Sequence, residues 1–120
     1  MDNVLKRDGS IVKFDRKKIT LAIYKAMKAT NIENYNEAER LTDLVIKRLD
    51  EQNIEVPKVE EIQDIVEEVL MLEGYTNVAK AYILYREKRK IIRELKKAYG
   101  VKDDLKLSIN AIKVLESRYL

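Results

Sequence analysis

Cysteine and histidine are both absent from this 120-residue sequence, and their absence removes more chemistry than anything else in it. Without them there is no disulfide, no thiol nucleophile, no soft metal ligand and no side chain that shuttles protons near neutral pH. The serines are Ser10, Ser108 and Ser117, and with no histidine partner they make no nucleophilic triad. Glycine occurs only at positions 9, 74 and 100, so neither GxxxxGK[ST] nor GxGxxG is present and the usual phosphate-cradling loops are excluded. No run approaches the roughly 18 apolar residues that span a bilayer. The start, MDNVLKRDGS, has no apolar signal segment, so the expectation is a cytoplasmic protein without membrane contact. What remains are carboxylates, hydroxyls, amines and guanidiniums, groups that hold an anion without catalysing anything. The pairs Glu60-Glu61 and Glu67-Glu68 lie in a regularly charged helical pattern and read as solvated surface, not as an acid/base pair. No catalytic residue and no protein metal site is expected.

Apolar residues make up 46% of the chain, enough for one modest globular core. The net charge is only +3, but it is unevenly placed. Residues 1–32 carry eight Lys/Arg against three Asp/Glu, residues 33–73 four against thirteen, and residues 74–100 eight against two. Two basic segments thus flank an acidic one. Brought together by folding, the basic ends would focus a positive site suited to a polyanion.

The pattern predicts a hairpin followed by helices. Val4–Arg7 and Ser10–Phe14 flank Asp8-Gly9, the dipeptide suited to a two-residue type I′ turn. Asp15 precedes an apolar stripe at Ile19, Ala22, Ile23, Ala26 and Met27 and is the expected N-cap of a first helix reaching about Thr30. A second stripe, Ala38, Leu41, Leu44, Val45 and Leu49, follows the turn-like NIENYN. The only proline, Pro57, precedes a third stripe at Val59, Ile62, Ile65, Val66, Val69 and Leu70. Gly74 stops that helix and Thr76 stands where a fourth would be capped. The fourth helix begins VAKAYILY, apolar nearly all round, and continues REKRKIIRELKK, mostly cationic, before Gly100 ends it. Tyr82, Tyr85, Arg86 and Arg89 share one helical face, which reads first as core tyrosines beside outward arginines and also suits a base-plus-phosphate ligand. Beyond Gly100, a stripe at Ile109, Ile112, Leu115 and Tyr119 predicts a short C-terminal helix. One alternative is a small basic helical nucleic-acid-binding module using Lys88, Arg89, Lys90, Arg93, Lys96 and Lys97; a bare oligomerisation domain is another.

Three blocks, VLKRDGSIVKFDRKKITLAIYKA, VEEIQDIVEEVL and NVAKAYILYREKR, stand in an order and at spacings that resemble the ATP-cone. That family is the nucleotide-binding regulatory module at the N-terminus of many ribonucleotide reductases, and it also occurs in the bacterial repressor of reductase genes. The resemblance covers residues 3–97. The tail LKLSINAIKVLESRYL resembles the opening of a reductase catalytic region, most like the adenosylcobalamin-dependent enzymes, with the anaerobic type also open. The implied fold is mainly α, a four-helix domain capped by a hairpin lid, plus a short C-terminal helix. Residues 1–100 would be the cone and 101–120 a linker and the start of the catalytic region.

The resemblance also implies roles. Val4 and Leu5 would meet the base through backbone and apolar contact, while Lys6 and Arg7 would reach phosphates. Lys18 would contact phosphate and Ile19 would form a wall under the base. Val59 and Gln63 match positions approaching adenine or ribose, although the family often has Thr or Ser where Val59 stands. Tyr82, Tyr85, Arg86, Lys88 and Arg89 match the end of the module, with the division of phosphate contacts among its cations open. The implied ligand is ATP or dATP with Mg²⁺, ATP permitting and dATP suppressing reductase activity through altered packing of cones against each other or against the catalytic domain. Reductase chemistry needs a thiyl radical and redox cysteines, which this chain lacks, so the implied part is a regulatory fragment of a di- or triphosphate reductase. The missing cysteines also argue against the repressor, whose cone is joined to a cysteine-ligated zinc ribbon.

Overall fold

The computed structural model describes residues 2–99, in the element order β1 (Asn3–Leu5), β2 (Ile11–Lys13), α1 (Arg16–Ala29), α2 (Tyr35–Glu51), α3 (Val59–Leu72) and α4 (Thr76–Tyr99). The architecture is the expected one, mainly helical with a small N-terminal hairpin. The helix predicted beyond Gly100, and Gly100 itself as a stop, lie outside the described residues. The chain divides into two compact units, Met1–Tyr82 and Ile83–Leu120. No helix among the described residues is long and apolar enough to cross a membrane.

Local chemistry sets the element ends. Asp15 caps α1 as expected, its carboxylate accepting from the Lys17 N–H at 3.0 Å. At the other end Asn31 takes φ +65°, which lets Asn31 N–H reach Lys28 O and Ile32 N–H reach Met27 O, the paired bonds of a Schellman motif. Gly74 does the same for α3 at φ +86°, with Tyr75 N–H donating to Leu70 O at 2.8 Å. Asn34 caps α2 by accepting from Glu37 N–H. Thr76 is not a cap: it is the first residue of α4, and the first carbonyl of that helix is Tyr75 O, bonded to Ala79 N–H at 2.9 Å.

The hairpin differs from the sequence expectation in strand length and turn type. Val4 faces Val12 across the pair and Leu5 faces Ile11, so Lys6 faces Ser10 and three residues, Arg7, Asp8 and Gly9, form the loop. Gly9 N–H donates to Lys6 O at 3.1 Å and Lys6 N–H to Ser10 O at 2.8 Å. Only Gly9, at φ +88°, enters the left-handed region. A type I′ turn needs two consecutive positive φ angles; this loop is a type I turn closed by a glycine bulge. Asp8 keeps negative φ because its carboxylate is engaged ahead of it, accepting from Ser10 N–H at 2.9 Å and Ser10 Oγ at 2.6 Å. Those bonds also hold the Asp8 carboxyl below its ordinary acidity range.

The first unit closes on one core. Ile23, Met27, Leu41, Val45, Leu49 and Leu70 are fully enclosed, and Val4 from the hairpin and Val78, Ala79 and Tyr82 from α4 join them. α1 packs on α2 and α2 on α3. Two polar residues sit in that apolar company, Thr20 and Thr42, whose hydroxyls meet at 2.8 Å across the α1–α2 contact. Each also lies within hydrogen-bond distance of a carbonyl one turn back; the two hydroxyl protons are shared among these three contacts, and neither buried hydroxyl is left unsatisfied. Ion pairs between Arg16 and Asp43 and between Arg48 and Glu68 join the same helices at their rims.

Candidate functional site

β1 carries the first candidate residues, and it is paired on both edges. β2 lies along one edge; on the other, Leu5 N–H donates to Pro57 O at 2.9 Å and a parallel bridge links Leu5 to Lys58. The segment entering α3 therefore acts as a one-residue third strand. Proline suits that position, because it gives a carbonyl to the ladder and has no N–H to leave unpaired. The hairpin is thus seated against the start of α3, a contact between residues 52 positions apart that no local pattern encodes.

At the tip, the Arg7 guanidinium reaches the first two turns of α3. Its Nε lies 3.0 Å from Glu60 Oε1 and its Nη2 donates to Gln63 Oε1 at 3.1 Å. Glu60 and Gln63 are three apart on the helix and so share a face. About a third of each charged side chain is exposed, 33% for Arg7 and 37% for Glu60. An ion pair that wet contributes only about 0–1 kcal/mol to folding. Its larger effect is to fix where the guanidinium stands.

The expectation that Glu60 and Glu61 merely face solvent is corrected by these contacts. Both are half-buried, and while Glu60 holds Arg7, Glu61 turns back to accept from the Lys58 N–H at 3.2 Å, covering an otherwise orphaned donor at the start of α3. No sequence signal pairs Glu60 with residue 7; the hint available was only its i, i+3 relation to Gln63.

The other predicted residues divide by burial. Val4, Ile19 and Tyr82 are core side chains, 7%, 8% and 5% exposed, so their bulk faces protein. Leu5, Val59 and Gln63 are half-buried, while Lys6 and Lys18 are exposed. Lys18 stands in the first turn of α1, its N–H bonded to Asp15 O at 3.2 Å. The positive end of the helix dipole therefore adds to its ammonium charge, favouring anionic groups there. Arg7 and Gln63 are brought into direct contact, and Leu5 is tied to the segment just before Val59. Tyr85, Arg86, Lys88 and Arg89 belong to the second unit, in the continuation of α4 beyond Tyr82.

A second polar cluster escaped the sequence reading. The Glu37 carboxylate accepts from Arg40 Nε at 2.6 Å, from Arg40 Nη2 at 2.9 Å and from the Tyr75 hydroxyl, and Arg40 continues to Glu73 at 2.9 Å. Arg40 foremost, then Tyr75, pull the Glu37 pKa from 4.5 down to about 2, and the same carboxylate pushes the Tyr75 phenol up. The cluster ties the first turn of α2 to the turn between α3 and α4, and every group in it has a partner.

The family model described as the ATP cone domain matches residues 2–112. The chain is 57% identical over 122 residues to the vitamin B12-dependent ribonucleoside-diphosphate reductase of Thermoplasma acidophilum, a match covering 98% of this chain and 16% of that enzyme. Its counterpart in Mycobacterium tuberculosis is 37% identical over 117 residues, with the same coverage. The anaerobic ribonucleoside-triphosphate reductase of Escherichia coli is 36% identical over 92 residues, covering 77% of this chain and 13% of the enzyme. What is shared with these much longer reductases is their cone region, not a catalytic domain. Sequence, hairpin and helices agree on one assignment: the chain belongs to the ATP-cone domain family of ribonucleotide reductases.

Proposed function

We propose that this domain binds ATP or dATP as an allosteric ligand and regulates the overall activity of the reductase that carries it. The observation that supports it best is the Arg7–Gln63 hydrogen bond, which joins a phosphate candidate on the hairpin to a base or ribose candidate on α3, 56 positions away. Lys6 and Lys18 supply further exposed cations on the same unit. A triphosphate carries dense charge that is costly to remove from water unless several cations replace the hydration. Mg²⁺ bound with the triphosphate would take most of its ligands from phosphate and water oxygens, which needs no dedicated protein cage. In the second unit Tyr85, Arg86, Lys88 and Arg89 are candidates on resemblance to the family alone. The cone is taken as residues 1–100, and residues 101–120 as the linker and opening of the catalytic region.

In this reading the hairpin acts as a lid. ATP and dATP differ by one 2′-hydroxyl, and a hydrogen bond to it is worth on the order of 1 kcal/mol. So small a difference regulates only by biasing a lid or an interface that already has two arrangements, against the catalytic domain or a second cone.

Calorimetry with ATP, dATP, GTP and a short DNA duplex tests the reading. Micromolar binding selective for adenine nucleotides is the expected outcome; salt-steep binding to the duplex with no nucleotide preference would replace it with the nucleic-acid alternative. Lys6→Ala combined with Arg7→Ala should weaken ATP binding by about tenfold or more, the loss of two charge-assisted contacts, and leave adenosine binding nearly unchanged.

A further inference from the structure

A guanidinium has five N–H donors, four of them arranged on two forks. At Arg7 the side carrying Nε and Nη2 faces α3: Nη2 donates to Gln63 Oε1 at 3.1 Å, and Nε is ion-paired with Glu60 Oε1 at 3.0 Å. Nη1, one arm of the end fork, takes part in neither contact. An end fork is the geometry that receives two oxygens of one phosphate in parallel. From this arrangement we infer that Glu60 and Gln63 are positioning residues: they grip one side of Arg7 so that its end fork is presented, already ordered, to a phosphate. The inference rests on the reading of Arg7 as a phosphate ligand.

Three features favour a grip over a competitor for the same cation. The acceptors share one face of α3, so a single rigid element sets both distances. The root of Arg7 is fixed as well, by Leu5 N–H on Pro57 O below it and by the Asp8 and Ser10 bonds across its loop. Finally, Nη1, which a phosphate bound end-on needs, is used by neither acceptor. Ordering an arginine ahead of binding removes a cost otherwise met when the ligand arrives.

Glu60 is suited to a decisive test because its charge and its hydrogen bond act in opposite directions. The negative charge repels phosphate, while the acceptor oxygen orients Arg7. Glu60→Gln keeps an acceptor and removes the charge; Glu60→Leu removes both. Calorimetry would measure inorganic tripolyphosphate, ATP and adenosine on the wild-type chain and both variants. Proton–nitrogen NMR would follow the Arg7 Nε–H signal without ligand. The expected result is tripolyphosphate and ATP binding weakened about three- to tenfold in Glu60→Leu, the ordering cost of one rotamer-rich side chain. Glu60→Gln should bind at least as tightly as wild type, adenosine should be unaffected, and the slowly exchanging Nε–H signal should persist in wild type and Glu60→Gln but vanish in Glu60→Leu. Tripolyphosphate binding in Glu60→Leu equal to or tighter than wild type would overturn the inference, because Glu60 would then be a bystander or a competitor. If wild type binds tripolyphosphate but not ATP, the adenine-nucleotide reading fails and the comparison of the two variants still decides the inference. If wild type binds neither, both fall.

Discussion

Glu37 shows how far a single side chain can be defined by partners distant in sequence. Arg40 lies one turn along the same helix, a spacing visible in the sequence, but Tyr75 is 38 positions away and arrives only because the turn after α3 comes back to the start of α2. Since the folded-state pKa is about 2 against an ordinary 4.5, the folded chain binds fewer protons at this site than the unfolded chain between those values. The stabilisation is therefore full above about pH 4.5 and is lost as pH falls toward 2. Glu37→Gln should cost about 1 kcal/mol at pH 7, a fall in Tm of about 4–8 °C for a domain of this size. The gap between variant and wild type should close as thermal melts are moved down toward pH 2. A gap that stays constant with pH would mean that the carboxylate's charge has no part in the cluster.

The hairpin is where element-level reasoning has most consequence. A two-residue turn and a three-residue turn with a glycine bulge place the residue after Lys6 differently, and only the second sets Arg7 in the loop with its side chain reaching α3. Gly9 makes this turn possible, with φ at +88° and no atom within 4 Å of where a Cβ would stand. Alanine there would meet no clash, so its cost is conformational, about 1–2 kcal/mol. Gly9→Ala should therefore shift the urea midpoint slightly, leave the helical circular dichroism unchanged, and weaken triphosphate binding through a looser Arg7. The helices were legible beforehand because their stripes repeat at 3.6 residues and their stops are Asn or Gly. The strands were not, since three-residue strands offer too few positions for period-two alternation to mark their ends.

At the scale of the first unit, stability rests on its shared core. Leu70 is fully enclosed and Leu72, two residues on, is 65% exposed. Leu70→Ala should cost about 2–5 kcal/mol in denaturant unfolding. That is a large part of the 5–15 kcal/mol, roughly, that holds a domain folded. Leu72→Ala should stay within about 0.5 kcal/mol. Equal costs would mean that Leu72 is covered by an interface in solution. The relatives set this domain in a larger frame, since the chain accounts for only 16% of the length of the B12-dependent reductases it matches. Regulation, in the proposed reading, is a property of that longer assembly, and the cone supplies its ligand-dependent part.

Periodicity, capping residues and composition determined by themselves that four helices follow a hairpin, that Asp15 and Gly74 bound two of them, and that no thiol or imidazole chemistry takes place in this chain. These are local properties, set by bonds between neighbours in sequence or by the absence of an atom type. The tertiary structure alone decided that Thr20 and Thr42 satisfy each other in the core, that Pro57 offers its carbonyl to Leu5, and that Arg7 is held by Glu60 and Gln63. Each of those pairings joins residues more than twenty positions apart. A charged or hydroxyl side chain has many possible partners in a sequence of this composition, and only the packing of α3 beneath the hairpin selects one. For that reason Glu60 looked like solvated surface in the sequence and is, in the fold, the residue that aims Arg7.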